Sequence, residues 1–130
     1  MTLAQSAYDL LMMIALTDGI LHEQEKVIMR AYASQNFEEE IDFEQEEREM
    51  MHMDEEDLMD RFEAAATFYM ENGRNEDRIS LLLTALEVVH ADQEFSEGEE
   101  KFFKGLANVW NINWEAVMAH FKQQHKTATA

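Results

Sequence analysis

Two pairs of carboxylates carry the strongest chemical signal in this chain. Asp18 is followed by Glu25, and Asp92 by Glu99 at the same spacing, within Leu16-Thr-Asp18-Gly19-Ile-Leu-His22-Glu-Gln-Glu25 and His90-Ala-Asp92-Gln-Glu-Phe-Ser96-Glu-Gly-Glu99. The spacing sets each Asp in a turn and each Glu one turn into the helix that follows, so the two side chains can converge at a helix start. If the two units pack about an approximate twofold axis, Asp18, Glu25, Asp92 and Glu99 meet in one cluster. Carboxylates so crowded raise one another's pKa unless a cation neutralises them, and a donor set of oxygens alone suits a hard divalent ion, calcium best of all. The alternative is structural: each Glu completes a capping box and each Asp shapes a turn. His22 is a poor cap, yet Glu25 still follows it, which favours the metal reading. Neither segment is an EF-hand, because the alternating oxygen donors and central glycine of that loop are missing.

The flanks of the two motifs agree as well. Ile14 aligns with Val88, Ala15 with Val89, Leu21 with Phe95, Ile28 with Phe102, Met29 with Phe103 and Ala33 with Ala107. One helix–turn–helix unit therefore occurs twice, over about 3–37 and 76–111. Positioning these motifs takes helices. The first is expected from Thr2 to about Thr17 with Leu3, Ala7, Leu10, Leu11, Ile14 and Ala15 inward, and the second through Ser34 with Val27, Ile28, Ala31 and Tyr32 inward. Glu38 to Met53 reads as a short, highly charged helix whose carboxylates form a solvated face. Asp54-Glu-Glu-Asp57 caps a helix bearing Leu58, Met59, Phe62, Ala65, Ala66, Tyr69 and Met70, ended near Asn72-Gly73. Glu76 to Ala91 is apolar on most sides and is expected to form the buried centre, with Leu82, Leu86 and Val89 almost wholly enclosed. Ser96 caps a helix with Phe102, Phe103, Leu106 and Val109 inward, and Asn113 caps a last one with Trp114, Val117, Met118 and Phe121 inward. The tail beyond Gln124 is expected to fray.

The 130 residues set one domain as the expectation, large enough to bury a core without staples. An apolar content of 46% excludes disorder despite 29% charged residues, and the absence of Pro and Cys with only four Gly points to an all-α fold of about seven helices. A net charge of −18 argues against nucleic acid and anionic membranes and favours cations or a basic protein partner. The apolar run Leu10 to Leu16 is too short to span a bilayer and lacks the basic flank of a signal peptide, so a soluble cytoplasmic protein without membrane insertion is expected.

The two motifs resemble the A-D-G-x5-E signatures of TerB-like domains, a family named for tellurite resistance. They depart from that pattern at Thr17, in place of Ala, and at Gln93, in place of Gly. The resemblance covers most of the chain and implies a compact all-α domain, a role in stress response, and metal ligation by Asp18, Glu25, Asp92 and Glu99.

Two other readings compete. Glu49-x-x-His52 and Glu87-x-x-His90 imitate the Glu-x-x-His pairs of di-iron bundles, but the long unbroken helices of such bundles are interrupted here at Asp18-Gly19 and Asn72-Gly73. A metal-independent scaffold with an acidic surface is the other. No nucleophile elbow, phosphate-cradling loop, deaminase or zincin spacing is present, so an enzyme is not expected.

Overall fold

A computed structural model describes residues 1–16, 22–38, 40–90 and 97–129, with the side chains of 89–90, 97–99 and 124–129 excepted. Among the described residues seven helices follow one another: α1 (Leu3–Ala15), α2 (Glu23–Asn36), α3 (Phe43–Met51), α4 (Glu55–Asn72), α5 (Asn75–His90), α6 (Glu97–Val109) and α7 (Trp114–Thr129). No strand occurs among the described residues. The fold is all-α.

Side-chain oxygens start several of these helices by taking up backbone N–H groups that have no partner inside the helix. Thr2 accepts from Gln5 N, Asp42 from Gln45 N, Asp54 from Asp57 N and Asn113 from Ala116 N. Helix α5 begins at Asn75, and Asp77 reaches back to accept from Arg74 N at 2.9 Å. Helix α4 ends at Gly73 for a reason of space. Its backbone is extended (φ −91°), and a Cβ there would lie 2.7 Å from the Tyr69 carbonyl oxygen. The left-handed conformation belongs to Asn111, at φ 55° between α6 and α7. Helix α7 runs to Thr129, past the point where fraying was expected.

The most deeply placed helix is α1. Every residue from Ala4 to Ala15 except Gln5 is buried, and α1 packs on α2, α3, α4, α5 and α6. Helix α5 shares the centre, with Leu82 and Leu86 enclosed while Ile79 and Leu83 are only half-buried; Val89 lies outside the described side chains. Its apolar girth marked it as central, but α1 buries even its polar residues. On α2 the inward stripe is Glu25, Met29, Tyr32 and Ala33, rotated from the expected one, so that Ala31 is exposed and Val27 is 67% exposed. Met59, Met70 and Val109 are likewise exposed rather than inward, because α4 turns Ala65, Ala66 and Tyr69 to the core and α6 turns Phe103, Leu106, Ala107 and Trp110. Trp110 fixes these two helices together: its indole N–H donates to the Ala66 carbonyl at 3.1 Å and its ring lies 5.4 Å from that of Tyr69.

The helices of the two units pack in a pattern that survives exchange. Helix α1 contacts α2 as α5 contacts α6, α1 contacts α5, and α2 lies on α5 as α6 lies on α1. Equivalent positions have equivalent burial: Ile14 and Val88, Met29 and Phe103, and Ala33 and Ala107 are all enclosed, while Ile28 and Phe102 are both half-buried.

Candidate metal centre

Of the four carboxylates in the paired motifs, Glu25 is the one whose side chain is described. It is the third residue of α2, 1% exposed, and its Oε1 accepts the backbone N–H of His22 at 2.9 Å. This is the reciprocal half of a capping box. Burying a charged carboxylate is unfavourable unless it is compensated. The helix N-terminus supplies part of that compensation.

Glu99 is the third residue of α6, the place Glu25 holds in α2, although its side chain is outside the described set. Asp18 and Asp92 both lie outside the described residues. The offset that carries Asp18 to Asp92 also carries Glu23, where α2 begins, to Glu97, where α6 begins. No group of three or more His, Asp or Glu placed to hold a metal ion occurs among the described residues. Hard oxygen donors, one of them a buried carboxylate at a helix start, are chemically suited to a divalent cation of the calcium type. The Glu-x-x-His pairs do not form a bundle interior: Glu49, His52 and Glu87 are exposed, and His90 is outside the described side chains.

A second charged cluster went unanticipated. Asp9 on α1 is fully buried, and its Oδ2 accepts from Arg61 Nε on α4 at 2.8 Å. Arg61 Nη2 donates to Glu46 Oε2 on α3 at 2.9 Å, and Gln5 Nε2 donates to Glu46 Oε1 at 2.8 Å. Glu49 stands 3.7 Å from the same guanidinium. Burial raises the Asp9 carboxyl well above its usual range and neighbouring Glu46 adds to the rise, while Arg61 opposes it. Beside this cluster, Glu47 pairs with Arg30 and approaches Lys26 at 3.9 Å. Arg30 also lies over the Phe43 ring. The carboxylate run of α3 is therefore not wholly a solvated face, since Glu46 and Glu47 are buried while Glu44 and Glu49 are exposed. These ion pairs bind the short α3 to α2 and α4, and the Gln5–Glu46 hydrogen bond ties it to α1. The sequence signal was the interruption of the apolar run in α1 by Gln5, Ser6 and Asp9.

Among the described residues no helix is long and apolar enough to cross a membrane. No curated protein and no solved structure matches the chain. The family model described as tellurite resistance protein TerB matches residues 4–123, and its span takes in all of α2 to α6, both paired motifs and nearly all of α1. Together with the seven-helix fold and the duplicated Asp-x6-Glu motif, that match shows that this chain belongs to the TerB family.

Proposed function

We propose that the protein is a non-catalytic metal-binding module of TerB type, acting in a stress response and taking one divalent cation, calcium before magnesium, through Asp18, Glu25, Asp92 and Glu99. The observation that supports this reading is the burial of a carboxylate, Glu25, in the first turn of α2. The exchange-symmetric packing of α1, α2, α5 and α6 is consistent with bringing the second motif to the same region. A bound cation would neutralise the converged carboxylates; the chain contributes the oxygen donors and the helix starts that hold them.

The test is a calcium-dependent melt. A ligand that binds the folded chain alone adds about 2.7 kcal/mol at 100 times its dissociation constant, which moves the midpoint of so small a domain by several degrees. Monovalent salt at equal ionic strength controls for screening of the −18 charge. Asp18→Asn combined with Asp92→Asn should abolish the calcium increment and leave the salt increment. An equal response of wild type and double variant to calcium would reduce the motifs to caps and turns.

A further inference from the structure

The outer face of α4 and α6 has a composition that the metal reading does not use. The backbones of the two helices stay largely apart while α1 lies against both, and their rings meet where Phe62 packs edge-on to Phe102 at 5.2 Å. Between them is a depression of about 230 Å³ lined by Met59, Phe62, Lys101, Phe102 and Gly105. Gly105 widens it, since a Cβ there would meet nothing within 4 Å. Exposed apolar side chains extend the strip: Met59 is 42% exposed and Val109 52%. A shallow apolar depression between two helices, flanked by exposed apolar side chains, can seat the apolar face of a third.

Charge specifies what kind of third helix. The exposed surface of α4 carries Glu55, Glu56, Asp60 and Glu63, and none of these is in an ion pair among the described residues. Its one cation, Arg61, faces inward to Asp9 and Glu46. Glu56, Asp60 and Glu63 follow one another at i, i+4 and i+3 spacing, where like charges on a helix repel. The opposite wall differs in sign: Lys101 lines it, and Lys104 pairs with Glu100 at 3.1 Å. An occupant is thus oriented by an acidic wall on one side and basic side chains on the other.

We propose that the groove between α4 and α6 docks an amphipathic helix of a partner protein, with an apolar face entering the channel and Lys or Arg along the edge that lies over α4. The apolar strip supplies the anchors and the unpaired carboxylates of α4 select the basic edge. This surface stands independently of the metal motifs, and its failure would leave them untouched.

The test uses the full chain and a fluorescein-labelled model peptide of Leu and Lys, with Leu at i, i+3, i+4 and i+7, read by fluorescence anisotropy at physiological ionic strength. The wild type should bind this peptide more tightly than a scrambled peptide of the same composition or an oligolysine of the same charge. Gly105→Trp, which fills the channel, should weaken binding by about tenfold or more without lowering the melting temperature. If that variant does not fold, Met59→Glu at an already exposed position gives the same reading. Asp60→Lys with Glu63→Lys should also weaken the basic peptide. The proposal is overturned if the wild type does not bind, if the scrambled peptide binds equally, or if the filled and charge-reversed grooves bind as the wild type does.

Discussion

Arg61 Nε donates to Asp9 Oδ2 at 2.8 Å, so the one cation of α4 is spent on a carboxylate in the middle of α1. The same guanidinium serves Glu46, leaving two buried carboxylates to one positive charge. Removing it strands both. Arg61→Met is expected to cost about 3–5 kcal/mol in urea denaturation, because it leaves the negative charge shared by the Asp9–Glu46 pair buried and uncompensated. Adding Asp9→Asn and Glu46→Gln to Arg61→Met should recover much of that loss, since removing a whole buried network is often close to neutral. A single-variant loss below about 1 kcal/mol would show that water reaches and solvates the cluster.

The same residues set a pH dependence. Desolvation, then Glu46, push the Asp9 carboxyl up to about 8 against the pull of Arg61. In the unfolded chain an Asp titrates near about 3.9. Between those values the folded protein binds the extra proton, so this group's contribution to stability is fully present below about pH 4 and is lost as pH rises toward 8. Gln5, Glu46, Glu49 and Arg61 are the polar and charged groups around it. Asp9→Asn should flatten the fall in unfolding free energy between about pH 4 and 8, by up to about 1.4 kcal/mol per pH unit. Parallel wild-type and variant curves would place the pH dependence elsewhere.

Glu25→Gln separates a cap from a ligand. Gln keeps an oxygen for the His22 N–H, so the start of α2 is preserved, but the negative charge is gone. In chelator the variant should match or exceed the wild type in melting temperature, a buried charge having been removed. In calcium it should gain less than the wild type. An undiminished calcium increment would assign Glu25 to capping alone.

Leu86→Ala tests the centre of the core. Leu86 is 1% exposed on α5, and its truncation should cost about 2–5 kcal/mol by guanidinium titration through lost transfer energy and a residual cavity. Asn113→Ala, which removes the cap of α7 at the periphery, should cost about 0.5–2 kcal/mol.

Helix number and order were legible because apolar periodicity and caps are local: Asp54 and Asn113 cap where their sequence context says they should. Rotation about a helix axis was less so. Val27 and Val109 are as apolar as their buried neighbours, and only the packing partner decides that Met29 and Trp110 turn inward instead. The buried Glu46 and Glu47 escaped notice for a related reason. A carboxylate run looks solvated until Arg30 and Arg61, distant in sequence, are brought against it. The paired Asp-x6-Glu motif was visible as a repeat, but its closure depends on Asp18 and Asp92, which lie outside the described residues.

The indole of Trp110, 2% exposed and hydrogen-bonded across from α6 to α4, gives the protein an optical reporter of its own. Its emission should be blue-shifted in the native state, and Tyr69, 5.4 Å away, is close enough to pass it excitation energy. Because the indole stands at the junction of the two helices, any wedge that spreads them lengthens the bond to Ala66 and changes its spectrum. Trp114, stacked on Phe103 at 5.1 Å, is the second emitter, and Trp114→Phe leaves Trp110 as a single probe of that junction.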